Sequence, residues 1–327
     1  MPHHTDDLLT VPPDCKVVIL GTGGTIAGRS VGADDPVAYV AGQVAVRDLV
    51  AGVPALAQWP LALEQVAQVD SKDMGLPVWQ RLVRAVELHM AQPSVAGIVI
   101  THGTDTLEET AYLLQRLLQP AKPVVLTCAM RPATALVPDG PQNLLDAVVV
   151  AADAQARGVL AVCAGQIHRA EHVAKVHSYR LDAFSSGDAG PAGCVEAGQV
   201  RWFQPLALPE APDTRLLAAF LAAPALPKVP LLTSHADADG DLVRALLTLA
   251  PEGLLVAGTG NGTLHDNLVA ALLEAQHAGV RVVRASRCAQ GRAMPDDRNP
   301  FPVAAPLNAP KARLALALDL LAERSGR

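Results

Sequence analysis

The sequence predicts an α/β fold with two domains: a larger N-terminal domain built on a mainly parallel sheet with flanking helices, and a smaller C-terminal α/β domain. Short apolar, β-branched runs alternate with segments of helical periodicity, which is the pattern of βαβ units. The chain has 327 residues, enough for two domains. A proline-rich segment interrupts the alternation, so the domains are predicted at 1–204 and 230–327, with a linker at 205–229.

The elements of the N-terminal domain follow from two patterns. The run KVVIL at 16–20 is predicted to be a buried strand, and 78–89 to be a helix because apolar residues recur every three or four positions. Because the strands are continuous apolar runs, the sheet should be covered on both faces. Further strands are predicted at 97–100, 122–127 and 159–163, and further helices at 107–118 and 142–155.

The same alternation resumes after a short helix predicted at 214–222, inside the linker. Strands are predicted at 231–234, 254–257 and 280–285, and helices at 241–249, 264–278 and 310–323. No short-period repeat interrupts this order. The C-terminal segment is therefore predicted to be a second, smaller α/β domain.

Composition excludes several classes of protein. With 50% hydrophobic residues the chain is not disordered, and a net charge of -6 with 3% aromatic residues disfavours nucleic acid as a ligand. No apolar run approaches the roughly 18–20 residues of a membrane span, and the first residues lack the apolar core of a secretory signal. The five cysteines are scattered without a Cys-x-x-Cys pair, which predicts reduced thiols and a cytoplasmic location.

The first candidate site is the segment GTGGTIAG at 21–28, directly after the first predicted strand. Gly21 and Gly23 fit a dinucleotide-binding Gly-x-Gly-x-x-Gly pattern, but Ile26 stands where its last glycine belongs. The Gly-Lys-Ser/Thr of a phosphate-binding loop is also missing. A tight strand-to-helix turn explains the glycines and leaves Thr25 unexplained, whereas a hydroxyl on an exposed turn suits a nucleophile.

The second candidate site is ITHGTDTLEET at 100–110, which again follows a strand and begins a helix. Thr106 and Glu109 have the spacing of a helix capping box, and early acidic residues suit a helix N-terminus. Capping does not require Thr104 and Asp105 as well. Two strand ends that each carry a threonine beside glycine therefore indicate a shared site, because ligands bind at the carboxyl ends of parallel strands.

These motifs resemble those of the bacterial L-asparaginases that use a threonine nucleophile. The order and spacing match from about residue 16 to residue 321, and several long motifs in fixed order are more specific than one glycine loop. The matching motifs are GTGGTIAG (21–28), DSKDM (70–74), ITHGTDTLEETAY (100–112), KPVVLTCAMRP (122–132), DGPQNLLDAV (139–148) and GTGNGTLH (258–265).

The resemblance implies catalytic roles for five residues. Thr25 would be the acylated nucleophile, assisted by Tyr39, the only tyrosine of the loop at 29–43. Thr104, Asp105 and Lys175 would form a second triad. Tyr39 or the Thr104–Lys175 pair could accept protons, the latter only with a neutral lysine, which burial favours and Asp105 opposes. Which threonine each acceptor serves is left open.

The resemblance also implies how an amide substrate would be held. Ser71 would bind the substrate α-carboxylate and Asp105 the α-ammonium group. Backbone N–H groups of Thr104 and Ala129 would stabilise the oxyanion. The other substrate-binding residues implied are Gly24, Lys72, Asp73 and Gly103. The products would be aspartate and ammonia, with possible glutaminase side activity, and neither a metal nor an organic cofactor is required.

The sequence departs from the family pattern at several positions. Lys72 stands where glutamine is usual, and a cation there would repel the substrate ammonium unless it points away or pairs with an acid. The family implies a homotetramer built from dimers, in which a neighbour completes each site. Its asparagine is replaced by Thr263, and its glutamate has only Asp296 or Asp297 as candidates. The disulfide of periplasmic members has no counterpart here.

Other functions compete with this prediction. His168 and His172 would share one face of a helix and, with His177, could indicate a metal site, although no convergent acids accompany them. His102 is predicted to be a hydrogen-bonding residue at a strand end. The alternatives are a glutaminase-preferring enzyme, the amidase subunit of a tRNA-dependent amidotransferase, and a nucleotide-binding sensor that uses the glycine loop.

Overall fold

The computed structural model describes residues 14–30, 39–40, 42–296 and 299–326, with the backbone alone at 29–30 and 39–40. These residues form two compact units, the first ending at Pro212 and the second beginning at Asp213. This division lies inside the predicted linker. The predicted domain boundaries at residues 204 and 230 stay predictions.

The first unit contains the elements that precede Pro212. Its α-helices are α1 (Val46–Ala51), α2 (Leu76–Met90), α3 (Leu107–Leu118) and α4 (Gly140–Ala152). Its strands are β1 (Lys16–Gly23), β2 (Arg29–Ser30), β3 (Tyr39–Val40), β4 (Leu61–Val69), β5 (Val95–Thr101), β6 (Val124–Thr127), β7 (Val159–Cys163), β8 (Gln166–Arg169), β9 (Ala174–Lys175), β10 (Phe184–Ser185), β11 (Gly193–Glu196) and β12 (Gln199–Trp202).

One eight-stranded sheet organises this unit, in the order β12-β11-β8-β7-β6-β5-β1-β4. The strands β7, β6, β5, β1 and β4 are parallel, whereas β8, β11 and β12 are antiparallel to their neighbours. The mainly parallel sheet is therefore confirmed. Val17, Val18, Ile19 and Leu20 of β1 are all 0% exposed, so both faces of the strand are covered, as its continuous apolar run predicts.

The register of the sheet brings both glycine motifs to one edge. Gly21 of β1 is paired with Thr101 of β5, which is paired in turn with Thr127 of β6. These residues lie at the carboxyl ends of three adjacent parallel strands. The loops that follow them therefore leave the sheet side by side, at the edge where α/β proteins bind ligands.

One half of the predicted capping box, the hydrogen bond accepted by the Thr106 side chain, is not formed. Thr106 is the N-cap residue of α3, but its side chain makes no capping hydrogen bond. Its hydroxyl instead donates to the carbonyl oxygen of Ser71 at 2.7 Å. The Thr106 hydroxyl thus donates to a distant carbonyl oxygen instead of accepting from an N–H group of its own helix, and the start of α3 is tied to the residues that follow β4.

The second unit is a smaller α/β domain, as predicted. Its strands β13 (Leu231–Thr233), β14 (Gly253–Gly258) and β15 (Arg281–Ser286) form a parallel sheet. Its helices are α5 (Thr214–Ala222), α6 (Asp241–Leu247), α7 (Asp266–His277) and α8 (Ala309–Ser325). Helix α5 packs against α8 in this unit. Among the helices described in both units, none is long and apolar enough to cross a membrane.

Candidate active site

The glycine turn after β1 packs directly against the second motif. Gly24 has a φ of 83°, in the left-handed region that favours glycine. A Cβ atom on Gly24 would lie 2.3 Å from the backbone nitrogen and Cα of Gly103. The two loops therefore contact each other backbone to backbone. Thr25 begins the short 3-10 turn that follows, and it is 5% exposed, so the expectation of an exposed turn is wrong.

The loop after β4 completes this contact. Ser71 is buried, and its hydroxyl oxygen accepts a hydrogen bond from the backbone N–H of Asp105 at 3.2 Å. A Cβ atom on Gly103 would lie 2.4 Å from the Ser71 Oγ. Glycine is thus required at 103 for Ser71 to approach. The structure brings together the ends of β4, β1 and β5, with the predicted residues Gly24, Gly103 and Ser71 in close contact.

The predicted second triad is assembled across 70 residues of sequence. Lys175 Nζ donates to Thr104 Oγ1 at 2.8 Å and to Asp105 Oδ1 at 2.6 Å. Thr104 Oγ1 in turn donates to Asp105 Oδ1 at 3.4 Å. The lysine side chain is 18% exposed, whereas the carboxylate is 52% exposed. A hydroxyl that contacts an amine and a carboxylate at once is a group whose proton can be exchanged.

A fourth loop at the same edge follows β6. Cys128 and Ala129 are buried. Ala129 lies against the start of α4, because a Cβ atom added to Gly140 would be 3.4 Å from the Cβ of Ala129. The backbone N–H groups of Thr104 and Ala129 donate no hydrogen bond to any residue that the structure describes. Two such donors on neighbouring loops are the type of group that stabilises an oxyanion.

The β6 loop is held by two residues of the DGPQN segment to which the sequence assigns no role. Asp139 accepts hydrogen bonds from the backbone N–H groups of Met130 and Arg131, both at 2.9 Å. Asn143 donates to the carbonyl oxygen of Cys128 at 3.0 Å and to Asp139 Oδ2 at 3.2 Å. An Asp and an Asn four residues apart at the start of a helix are the sequence feature from which these side-chain to backbone hydrogen bonds could have been predicted.

The buried histidines are neutral at pH 7. Burial lowers the pKa of His102 to about 4, and its Nδ1 lies 2.7 Å from the carbonyl oxygen of Gly103. Burial also lowers the pKa of His168 to about 4, and its Nδ1 lies 2.9 Å from Ser186 Oγ. His168 lies in strand β8 and His172 in the turn after it, so the helical pairing considered for them is wrong. No group of three or more metal-ligating side chains occurs among the described residues.

Lys72 is paired with two acids. Its Nζ lies 2.9 Å from Asp70 Oδ2 and 2.9 Å from Asp73 Oδ2, and its side chain is 62% exposed. The hydrogen bonds to Asp70 and Asp73 raise its pKa above the ordinary range for lysine. The acid pairing that would relieve repulsion of a substrate ammonium is thus present.

The remaining predicted site residues are Tyr39, Thr263 and Asp296. Tyr39 pairs with Ser30 in the two-stranded β2–β3 ribbon, but its side chain lies outside the described residues. Thr263 is exposed in the second unit, with its hydroxyl 2.8 Å from that of Thr259. Asp296 is half-buried, and Asp297 lies outside the described residues. The predicted roles of these residues stay predictions.

Comparison with known proteins supplies the family. The family model described as "Asparaginase, N-terminal" matches residues 16–208, and that described as "Glutaminase/Asparaginase C-terminal domain" matches residues 228–326. The glutaminase-asparaginase of Pseudomonas fluorescens biotype A is 37% identical over 314 residues, which cover 93% of this chain and 86% of the relative. The L-asparaginase 2 of Escherichia coli K12 is 37% identical over 315 residues, covering 93% and 88%.

A solved structure agrees with this assignment. The probable cytoplasmic L-asparaginase of Campylobacter jejuni superposes with a TM-score of 0.85 at 36% identity, covering 95% of this chain and 98% of the other. Both domain models therefore match in order along a chain that shares its fold with a solved probable L-asparaginase. The chain also packs its two threonine motifs against each other at one edge of the sheet. The chain belongs to the asparaginase family of amide-bond hydrolases.

Proposed function

We propose that this protein hydrolyses L-asparagine to L-aspartate and ammonia, with hydrolysis of L-glutamine as a side activity. The observation that carries the proposal is the hydrogen-bonded cluster of Lys175, Thr104 and Asp105, built against the loop that bears Thr25. The relatives named L-asparaginase and glutaminase-asparaginase support the same substrates. Both substrates share an α-carboxylate, an α-ammonium group and a side-chain amide.

In the proposed mechanism, the Thr25 hydroxyl oxygen attacks the carbon of the side-chain amide. Its proton passes to an acceptor, for which Tyr39 and the Thr104–Lys175 pair are the candidates. The negatively charged oxygen is stabilised by the N–H groups of Thr104 and Ala129. The amino group of the tetrahedral adduct takes up one proton and leaves as ammonia, which yields a β-aspartyl ester on Thr25. Water then hydrolyses the ester, which releases aspartate and restores the hydroxyl.

The proposed substrate contacts use the ends of β4 and β5. Ser71 accepts a hydrogen bond from Asp105 N, so its own hydroxyl proton is available to a carboxylate. Asp105 offers an acceptor to the α-ammonium group. Gly24 and Gly103 permit the close backbone approach between the two loops, and Asp73 lies in the same 3-10 turn as Ser71.

The activity is tested by incubating the purified protein with L-asparagine or L-glutamine and measuring ammonia. We expect release from both, and faster release from asparagine. A Thr25→Ala preparation made in parallel measures contaminating amidases. Ammonia release no faster than this control with either amide would contradict the proposed function, and a faster rate with glutamine would reverse the proposed substrate preference.

Replacing Lys72 with glutamine should leave the KM for asparagine within about threefold of the original value. The reason is that Asp70 and Asp73 already balance the charge of Lys72, and exposed ion pairs contribute little energy. The measurement is the KM of Lys72→Gln beside that of Lys122→Gln, a lysine that bonds the Gln92 carbonyl oxygen instead. A KM that falls tenfold in Lys72→Gln alone would mean that the Lys72 cation repels bound substrate.

We also propose a homotetramer built from dimers, in which Thr263 and Asp296 of one subunit complete a neighbour's site. The support is the family to which both units belong. Light scattering on the purified protein measures the mass directly. A fully active species with the mass of one chain would refute the assembly and the neighbour roles together.

A cytoplasmic location is the last part of the proposal. All five cysteines are free, and the buried thiols of Cys128 and Cys163 lie 3.2 Å apart without being bonded. Cell fractionation tests the location, and recovery of the protein outside the cytoplasm would contradict it.

A further inference from the structure

The strand that carries Lys175 is held from two sides. Strand β9 has two residues and pairs with β10, where Val176 N donates to the carbonyl oxygen of Ala183 at 2.8 Å. The N–H of Lys175 is directed to the opposite side, because successive N–H groups along a strand alternate in direction. It donates to Glu108 Oε2 at 2.8 Å. A two-residue strand has little support of its own, so this bond anchors the main chain at Lys175.

Glu108 is suited to this anchoring. It lies in the first turn of α3, where the helix dipole stabilises a carboxylate, and it is 7% exposed. Burying a carboxylate is costly unless its oxygens are hydrogen-bonded. From the sequence, an acid at this position is explained by the helix dipole alone. In the structure, its side chain also accepts from the backbone N–H of Lys175, which is 67 residues away in sequence.

We propose that Glu108 is a positioning residue for amide hydrolysis, which fixes the Lys175 main chain so that Nζ stays within hydrogen-bond distance of Thr104. This inference rests on the proposed function. Glu108 follows Thr104 and Asp105 by a few residues, so one helix start holds Lys175 at both ends: Glu108 binds its N–H, and Thr104 and Asp105 bind its Nζ. The four-carbon side chain of Lys175 is flexible, so it does not fix the position of the amine by itself.

The test compares three variants of Glu108. Glu108→Gln keeps a carbonyl oxygen for the Lys175 N–H, Glu108→Asp withdraws the acceptor by one methylene, and Glu108→Ala removes it. We expect kcat to stay within about threefold for Gln and to fall roughly 10- to 100-fold for Ala, with Asp between them, because small misplacements of a reacting group cost about this much. The KM should change by less than about threefold.

A matched control separates positioning from simple loss of a buried acid. Asp146 is a 4% exposed acid in α4 that accepts a hydrogen bond from Gln142, and in the described structure it makes no hydrogen bond or ion pair with Lys175. Asp146→Ala should lower the unfolding temperature without lowering kcat. The same fall in kcat for both alanine variants, or equal losses for Glu108→Gln and Glu108→Ala, would overturn the proposal. If Glu108→Ala does not fold, the remaining criterion is that Glu108→Gln has a higher kcat than Glu108→Asp.

A second readout does not depend on activity. The rate at which acetic anhydride acetylates Lys175, followed by mass spectrometry, reports how firmly its amine is held. We expect this rate to rise several-fold in Glu108→Ala or Glu108→Asp and to stay unchanged in Glu108→Gln and Asp146→Ala. A chain that releases no ammonia but shows this pattern would refute the proposed function and support the anchoring. Unchanged acetylation in Glu108→Asp would refute the anchoring.

Discussion

Replacing Thr25 with alanine should reduce kcat by roughly 10⁴-fold or more, the size of loss seen when a nucleophile of a hydrolase is removed. Thr25 is the first residue of the turn after β1, next to the backbone contact between Gly24 and Gly103. Without it, the proposed ester cannot form. The substitution removes little volume, so the free energy of unfolding should fall by no more than about 1–2 kcal/mol.

Thr22 provides the matched control for Thr25. It belongs to the same glycine segment, is buried, and donates its hydroxyl to the carbonyl oxygen of Thr101 at 2.8 Å. Thr22→Val should therefore destabilise the protein by about 1–3 kcal/mol, because a buried acceptor loses its partner. Its kcat should stay within about tenfold of the original value.

The covalent step can be observed directly. Rapid acid quenching of the enzyme during turnover of asparagine, followed by mass spectrometry of the peptides, should locate an acyl adduct on the peptide that contains Thr25. The adduct should be absent from Thr25→Ala and present in Thr22→Val. An adduct on the peptide with Thr104, or a Thr25→Ala enzyme with more than about a hundredth of the original kcat, would assign the nucleophile elsewhere.

The parts of this site that the sequence predicts are those that depend on buried parallel strands. β1 and β5 are apolar runs because both of their faces are covered, and their carboxyl ends must meet at one edge of the sheet. Thr25 and Thr104 directly follow these ends. Their placement at the same end of the sheet therefore follows from strand patterning and the topology of βαβ units.

Other parts have no local signal. β4 is an edge strand whose polar residues, such as Gln65 and Gln68, interrupt any apolar run, so the sequence does not predict it. β9 has two residues, and no periodicity exists over such a length. Lys175 is connected to Thr104 only through the resemblance to a family, because their hydrogen bond joins residues 71 positions apart. The hydrogen bond that Thr106 donates to the carbonyl oxygen of Ser71 joins residues 35 positions apart, and no local pattern predicts it.

Replacing Lys175 with methionine should reduce kcat by roughly 10²- to 10⁴-fold, which is the usual contribution of one general acid or base to the rate. Methionine keeps an unbranched side chain but removes the bonds to Thr104 and Asp105. Lys175→Arg should not restore activity, because the guanidinium stays protonated and its planar shape differs from that of an amine. Recovery of activity in Lys175→Arg would mean that a fixed positive charge is sufficient at this position.

Lys122→Met is the control for the loss of a partly buried lysine. A double variant of Thr104 and Lys175 then tests whether these two residues act together. Lys122 precedes β6 and donates to the Gln92 carbonyl oxygen at 2.7 Å, at the opposite end of the sheet from the candidate site, so its loss should leave kcat within about threefold. Thr104→Val combined with Lys175→Met should lose little more activity than the worse single variant, since groups that act as one unit are not additive. Losses that multiply would instead show that Lys175 serves the reaction through Asp105 or another group, and that the 2.8 Å contact with Thr104 is not the route of the proton.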